Sequence, residues 1–239
     1  MEYIHNTEQF QFHNTVVALG KFDGMHKGHQ LIFDELIQYK QLGYQAAVFS
    51  FDRPPLNMLK HKHMRVIYTT NEKIKLLARR GIDIYIEHPF TDEFSHLSPE
   101  DFVIKVLLEK TGMKVLVVGD DCGFGYKRQG NVELLERMSK EYDFKLIVIP
   151  KLELEGEIVS STRIRHLLSE GKVEEANRLM EDPFMICGSV VHGNHMGAEV
   201  LQMPTANQIP LEDKLLPPNG VYVSRIHYKD ETYYGISNV

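Results

Sequence analysis

The segment Gly20-Lys21-Phe22-Asp23-Gly24-Met25-His26-Lys27-Gly28-His29 gathers residue types that handle phosphate. Gly20, Gly24 and Gly28 let the backbone turn sharply and approach a ligand closely. The helix this segment opens begins with unpaired N–H groups and a partial positive charge, which seat phosphate. His26 and His29 are three residues apart, so at a helix start they share a face and can both donate to one triphosphate. The competing reading is a glycine-rich turn with two surface histidines. Placement of the whole pattern between a strand and a helix weighs against it.

Other segments carry weaker chemistry. Ser160-Ser161-Thr162 reads equally well as a helix cap and as a hydroxyl cluster for phosphate. Arg165 tips the balance, because its planar fork of donors suits phosphate oxygens; Arg163, two residues away, should face elsewhere. His29 and Arg165 are both expected to line a solvent-accessible cleft. Asp120-Asp121 follows a strand and precedes Gly123-Phe124-Gly125, where a binding loop belongs, and Gly130-Asn131 closes that loop onto the next helix. Phe51 and Phe124, read singly, are core residues before they are ligand contacts, and Cys122 is by default a small buried hydrophobe.

These residues need a frame. Apolar, β-branched runs at residues 15–20, 45–50, 83–87, 115–119 and 145–149 predict strands. Between them, Thr69 with Glu72 forms a capping box, and Ser98-Pro99-Glu100-Asp101 opens a helix to about Lys110. Strand–helix alternation predicts a doubly wound parallel sheet, with functional loops at the carboxyl ends of its strands. Near Glu181-Asp182-Pro183 the pattern changes. Strands are expected at 184–191, 222–228 and 232–236 with no helix among them, a small β domain or a fragment of one. The domain division is therefore 1–183 and 184–239.

The chain has 239 residues, 43% hydrophobic and 25% charged, with formal net charge −6. That balance argues against a general nucleic-acid binder, which needs clustered Lys and Arg. Cys122 and Cys187 lie far apart, so neither a disulfide framework nor a cysteine-rich zinc site is expected, and a reducing cytoplasm fits. The first residues lack the pattern of a signal peptide, and no apolar run is long enough for a membrane span.

The Gly20–His29 motif resembles the nucleotide-binding signature of the HxGH nucleotidylyltransferases, and its Phe-Asp-Gly form resembles the bacterial FAD synthetase branch. Phe49-Ser50-Phe51-Asp52-Arg53-Pro54-Pro55 resembles that branch's T-F-D-P-H-P stretch, with Arg53 where His is usual. The segments from Phe94 to Phe102, from Val118 to Gly125 (with Cys122 replacing an aromatic) and from Val159 to Arg165 match further motifs in order. The match covers roughly residues 15–184.

The resemblance implies a Rossmann-like fold and transfer of AMP from ATP to FMN with Mg²⁺, giving FAD and pyrophosphate. It implies His26, His29 and Arg165 as catalytic residues, and Gly20, Phe22, Asp23, Gly24, Gly28, Ser161, Thr162 and Arg163 around the nucleotide. Phe51, Asp52, Asp121 and Phe124 would lie around the flavin; the parts of Asp23 and Asp121 stay open, and no residue is assigned to the metal. Another nucleotidylyltransferase, or a silent flavin-binding regulator, are the alternatives.

Residues 184–239 resemble the start of the riboflavin kinase domain that usually follows this module. Gly188-Ser189-Val190-Val191-His192-Gly193, Pro204-Thr205-Ala206-Asn207 and Pro218-Asn219-Gly220-Val221-Tyr222 carry that likeness. Glu199 and Gln202 depart from the pattern, and the expected downstream catalytic Glu has no counterpart before Val239. The expectation is a β-barrel-like remnant without kinase activity, its open strand edge offering a route to self-association.

Overall fold

The computed structural model describes residues 1–52, 65–191 and 205–239. Arg53, Pro54 and Pro55, and likewise His192, Gly193, Glu199, Gln202 and Pro204, lie outside the described residues. The strands β1 (Glu2–His5), β2 (Thr15–Leu19), β3 (Gln45–Phe51), β4 (Ile84–His88), β5 (Met113–Gly119) and β6 (Lys145–Ile149) form one sheet. Its order is β1-β4-β3-β2-β5-β6, and every pairing is parallel. Five of these strands fall where the apolar runs predict them. The sixth, β1, is short and flanked by polar residues; it is held at the sheet edge by its ladder to β4 and by Tyr3, whose hydroxyl donates to Glu87 at 2.7 Å.

The helices are α1 (Lys27–Gln41), α2 (Thr70–Arg79), α3 (Asp92–Ser95), α4 (Pro99–Asp101), α5 (Val132–Glu141), α6 (Ser161–Ser169) and α7 (Val173–Leu179). Alternation along the strands feeds two cores. Val16 and Ala18 of β2 pack with α1 and α2 on one face, while Val17 and Leu19 pack on the other with the helices around Phe102 and Leu135. Burial on both faces is why β2 reads as an unbroken apolar run. The Thr69 capping box is present, and Ser98 caps α4 with Pro99 at its first position. That helix then departs from expectation. It continues as a π-helix over Phe102–Leu108, with the Glu109 N–H bonding Ile104 O and the Thr111 N–H bonding Val106 O.

Beyond the sheet lie the two-residue strands β7 (Glu153–Leu154) and β8 (Glu157–Ile158), then β9 (Gly188–Val191), β10 (Asn207–Pro210), β11 (Val221–Tyr228) and β12 (Glu231–Asn238). The strand expected from residue 184 starts only at Gly188. The Phe184 N–H is taken by Asn177 and the Cys187 N–H by Glu72, each at 2.7 Å, so neither is available to a ladder. Among the described residues β9 pairs β10 and β11 pairs β12, two antiparallel pairs.

Candidate active site

Strands β2 and β5 are neighbours, but their outgoing connections diverge. β2 leads into α1 on one face and β5 leads toward α5 on the other. Divergence of this kind opens a crevice at the carboxyl ends of the two strands, the usual ligand position in an open α/β sheet. The loop after β2 carries the Gly20–His29 motif, and the loop after β5 carries Asp120–Gly125. The fold thus brings together two motifs about a hundred residues apart.

Within the first loop the backbone is bent hard. Phe22, Gly24 and Met25 have φ of 48°, 83° and 36°, and left-handed geometry at the two non-glycine positions marks stored strain of the kind that gathers at functional sites. His26 is the N-cap of α1, and its carbonyl accepts the N–H of His29 at 2.8 Å. The two imidazoles stack at 3.6 Å between ring centres. Gly28 permits this, because a Cβ there would lie 3.2 Å from His26 Nδ1. Nδ1 of His26, Nδ1 of His29 and Nε2 of Gln30 are buried without a hydrogen-bond partner among the described residues. Orphaned polar atoms are costly, and these three lie on one helix turn. Burial lowers the His26 pKa to about 4, opposed by the Asp121 carboxylate, and burial with the neighbouring His26 holds His29 well below its ordinary value. Both rings are neutral at pH 7.

The other expected nucleotide residues divide. Gly20 ends β2 with its N–H on Phe49 O, and Gly24 packs against Ile67. The ring of Phe22 is 2% exposed and packs on Phe33 and the edge of His29, so this side chain belongs to the core and only its backbone borders the crevice. Asp23 is a structural hub. Its Oδ1 accepts the N–H groups of Ile67 (2.9 Å) and Tyr68 (3.2 Å), its Oδ2 pairs with Arg165, and its carbonyl accepts the Ser161 hydroxyl. Arg165 also donates to the Arg65 carbonyl. Thr162 is exposed at the start of α6, where Ser160 is the cap. Arg163 pairs with Glu157 at 2.9 Å and reaches the carbonyls of Leu154 and Glu157.

Of the residues expected around the flavin, Phe51 is half-buried in a cluster with Phe90, Phe94 and Phe102. Asp52 accepts the Phe90 N–H at 2.9 Å, which fixes that cluster's rim. Phe124 is 6% exposed and closes a backbone bridge with Gly130, a core role for its ring. Asp121 is exposed and pairs with Lys151 at 3.1 Å. The charges nearest the crevice include two that motif reading left unassigned, Lys21 and Arg128. Lys21 has its pKa lowered by burial, then by Arg128, with Asp23 and Arg165 also acting on it. Arg128 lies against Gly123, where a Cβ would sit 2.8 Å from its guanidinium, and both Lys127 and Arg128 have positive φ. A basic pair inside the Gly125–Gly130 loop was the available signal.

A parallel sheet with a histidine-bearing helix start at its switch point is an α/β nucleotidylyltransferase-like fold. A family model for FAD synthetase matches residues 8–163, and one for riboflavin kinase matches residues 180–239. A bifunctional riboflavin kinase/FMN adenylyltransferase of Buchnera aphidicola (subsp. Schizaphis graminum) is 38% identical over 240 residues, covering 99% of this chain and 76% of that protein. Proteins of the same name from Listeria monocytogenes and Escherichia coli K12 are 35% and 31% identical, each again covering 99% of this chain and 76% of its own length. A solved structure described as a macrolide-efflux protein from Streptococcus pneumoniae superposes with a TM-score of 0.87 at 30% identity, over 99% of this chain and 77% of its own.

The chain belongs to the bifunctional riboflavin kinase/FMN adenylyltransferase family, and it is a nucleotidyltransferase. Residues of the kinase family are present, and the relatives are named for both activities, so the expectation of a lost kinase half finds no support in them. Among the described residues no helix is long and apolar enough to cross a membrane.

Proposed function

We propose that the chain forms FAD by adenylyl transfer in the crevice between the β2 and β5 loops. The FMN phosphate oxygen attacks the α-phosphorus of ATP in line; the new P–O bond forms as the bond to the β-phosphate breaks, and pyrophosphate leaves with the electron pair. The observation that carries this reading is the stacked His26–His29 pair at the start of α1, with buried nitrogens that lack partners among the described residues. Neutral imidazoles donate N–H to phosphate oxygens as charge moves toward pyrophosphate. Arg165 and the hydroxyls of Ser161 and Thr162 line the phosphate side, with Lys21 and Arg128 adding positive charge at the mouth. Asp23 positions Arg165 rather than touching the nucleotide. Phe51, with Asp52 holding the rim of its cluster, and Asp121 border the flavin side.

Among the described residues no three His, Cys, Asp or Glu side chains converge as a metal cage. Mg²⁺ keeps several waters and binds substrate phosphates, so the family's ion would be carried by triphosphate oxygens and water. It would neutralise the departing pyrophosphate.

For the second family reaction the narrower reading is that these 239 residues do not by themselves phosphorylate riboflavin. It is supported by the exposure of Val223 (91%) and Ile236 (75%), which leaves the β11–β12 sheet without an enclosed core among the described residues. The same open face supports self-association, and the sharp change of pattern supports a domain boundary near residue 183. The deciding experiment incubates the chain with ATP, Mg²⁺ and either FMN or riboflavin and chromatographs the flavins. FMN becomes FAD and riboflavin persists; no FAD would refute the main reading, and new FMN the narrower one.

The thiol of Cys122 gives a second test. Burial, then the Asp121 carboxylate, push its pKa up to about 11, so it is no reactive thiolate at neutral pH. Alkylation should be slow at pH 7 and accelerate about tenfold per pH unit toward that value. Saturating FMN should slow it further, and Cys122→Ser should keep most activity and resist inactivation. A Ser variant inactivated as fast as the parent removes Cys122 from the flavin side.

A further inference from the structure

Residues 65–68 form a strap whose backbone groups are shared between two parts of the chain. On one side the N–H groups of Ile67 and Tyr68 go to Asp23, and the Arg65 carbonyl accepts from Arg165. On the other side the Val66 N–H donates to Asp213 O at 2.7 Å, and the Val66 carbonyl accepts the Leu215 N–H at 2.8 Å. Lys214 locks this second side. Its Nζ donates to the Ile67 carbonyl at 2.5 Å and to Glu72 at 2.7 Å. It lies over the rings of Phe184 (4.5 Å) and Tyr68 (5.2 Å). Glu72 in turn accepts the N–H groups of Thr69 and Cys187. Both side chains of the ion pair are wholly buried.

A buried pair of this kind is poor evidence for stability, because apolar residues of similar size commonly serve as well. What the pair does fix is register. It sets residues 184–187 and 211–215, which belong to the kinase-family match, against the strap that holds Asp23. We propose that Lys214 is a positioning residue for adenylyl transfer: from the riboflavin-kinase-family part of the chain it holds the strap, and through it Asp23 and Arg165, in the geometry that receives the triphosphate. This rests on the reading that Arg165 lines the phosphate side of the crevice.

The single variant Lys214→Met would strand a buried carboxylate and risk unfolding. The test is therefore Glu72→Gln/Lys214→Met in the full chain, which removes both charges and keeps one amide oxygen as acceptor for either the Thr69 or the Cys187 N–H. The expected result is a folded protein whose KM for ATP rises roughly tenfold, within the usual range of coupling between sites, while KM for FMN stays put. A wild-type KM for ATP, or equal rises in both KM values, overturns the proposal. A second measurement needs no variant. By reciprocity, saturating non-hydrolysable ATP should slow exchange of the Val66 and Leu215 amides, which join the strap to the kinase-family segment; unchanged exchange there overturns it as well. If the unmodified chain made no FAD, the substrate reading would fail instead, so the two failures are distinct.

Discussion

His29→Ala should lower turnover of FMN by about 10²-fold or more while the melting temperature stays within a few degrees of the parent's. The two halves of this expectation have different causes. The imidazole donates to phosphate oxygens whose charge grows as the bond to pyrophosphate breaks, so its loss falls on the transition state. The stability effect is small because two contributions oppose. Truncation removes a ring stacked at 3.6 Å on His26 and edge-on to Phe22, but it also removes Nδ1, which is buried without a partner among the described residues. Lost packing and relieved desolvation should cancel to about 1 kcal/mol or less.

The pH dependence has a definite sign. The His26 pKa of about 4 in the folded chain lies below the ordinary 6.5, so the folded state favours the neutral ring. Its contribution to stability is fully present above pH 6.5 and is lost as pH falls toward 4. For catalysis, neutral rings in the free enzyme mean that kcat/KM should not decline as pH rises through 6.5. An alkaline decline centred there would show imidazolium at work, and a melting temperature that collapses in His29→Ala would make the residue structural.

Arg165→Ala should lose turnover by a similar factor and also destabilise the fold by about 1–3 kcal/mol. The sequence places Arg165 beside His29 in a solvent-accessible cleft; in the structure its side chain is mostly covered. The guanidinium bridges Asp23 and the Arg65 carbonyl, and the paired side chains are only 21% and 17% exposed. Removing it strands a half-buried carboxylate. Asp23→Ala should cost more, about 3 kcal/mol or above, since it also deprives the Ile67 and Tyr68 N–H groups of their acceptor. Because the residues share one network, the double variant should be destabilised by clearly less than the sum of the singles. Denaturant unfolding of all four proteins measures this. Additive losses would mean that the two side chains act independently and that Asp23 does not position Arg165.

Much of this protein is legible residue by residue. Five strands of the sheet announce themselves as apolar runs because their side chains alternate between two cores, mostly buried in the four inner strands and partly buried in the edge strand β6, and the Thr69 and Ser98 caps are written in side chains that bond within their own turn. The phosphate loop is equally local: glycine spacing and two histidines three apart suffice to find it. What no local pattern contains is which groups meet across the fold. Phe22 and Phe124, motif residues by spacing, turn their rings into the core because the loops carrying them are bent by positive φ and by a backbone bridge. Strand β1 exists only because β4 offers an edge, and strand 184–191 is shortened because Glu72 claims an N–H 115 residues away. Asp23 and Arg165 are each visible in the sequence, yet their union is decided by how α6 packs beside the first loop. Short-range bonds follow from neighbours along the chain, whereas burial, ion pairing and shared carbonyls depend on distances that only the packed sheet and its helices create.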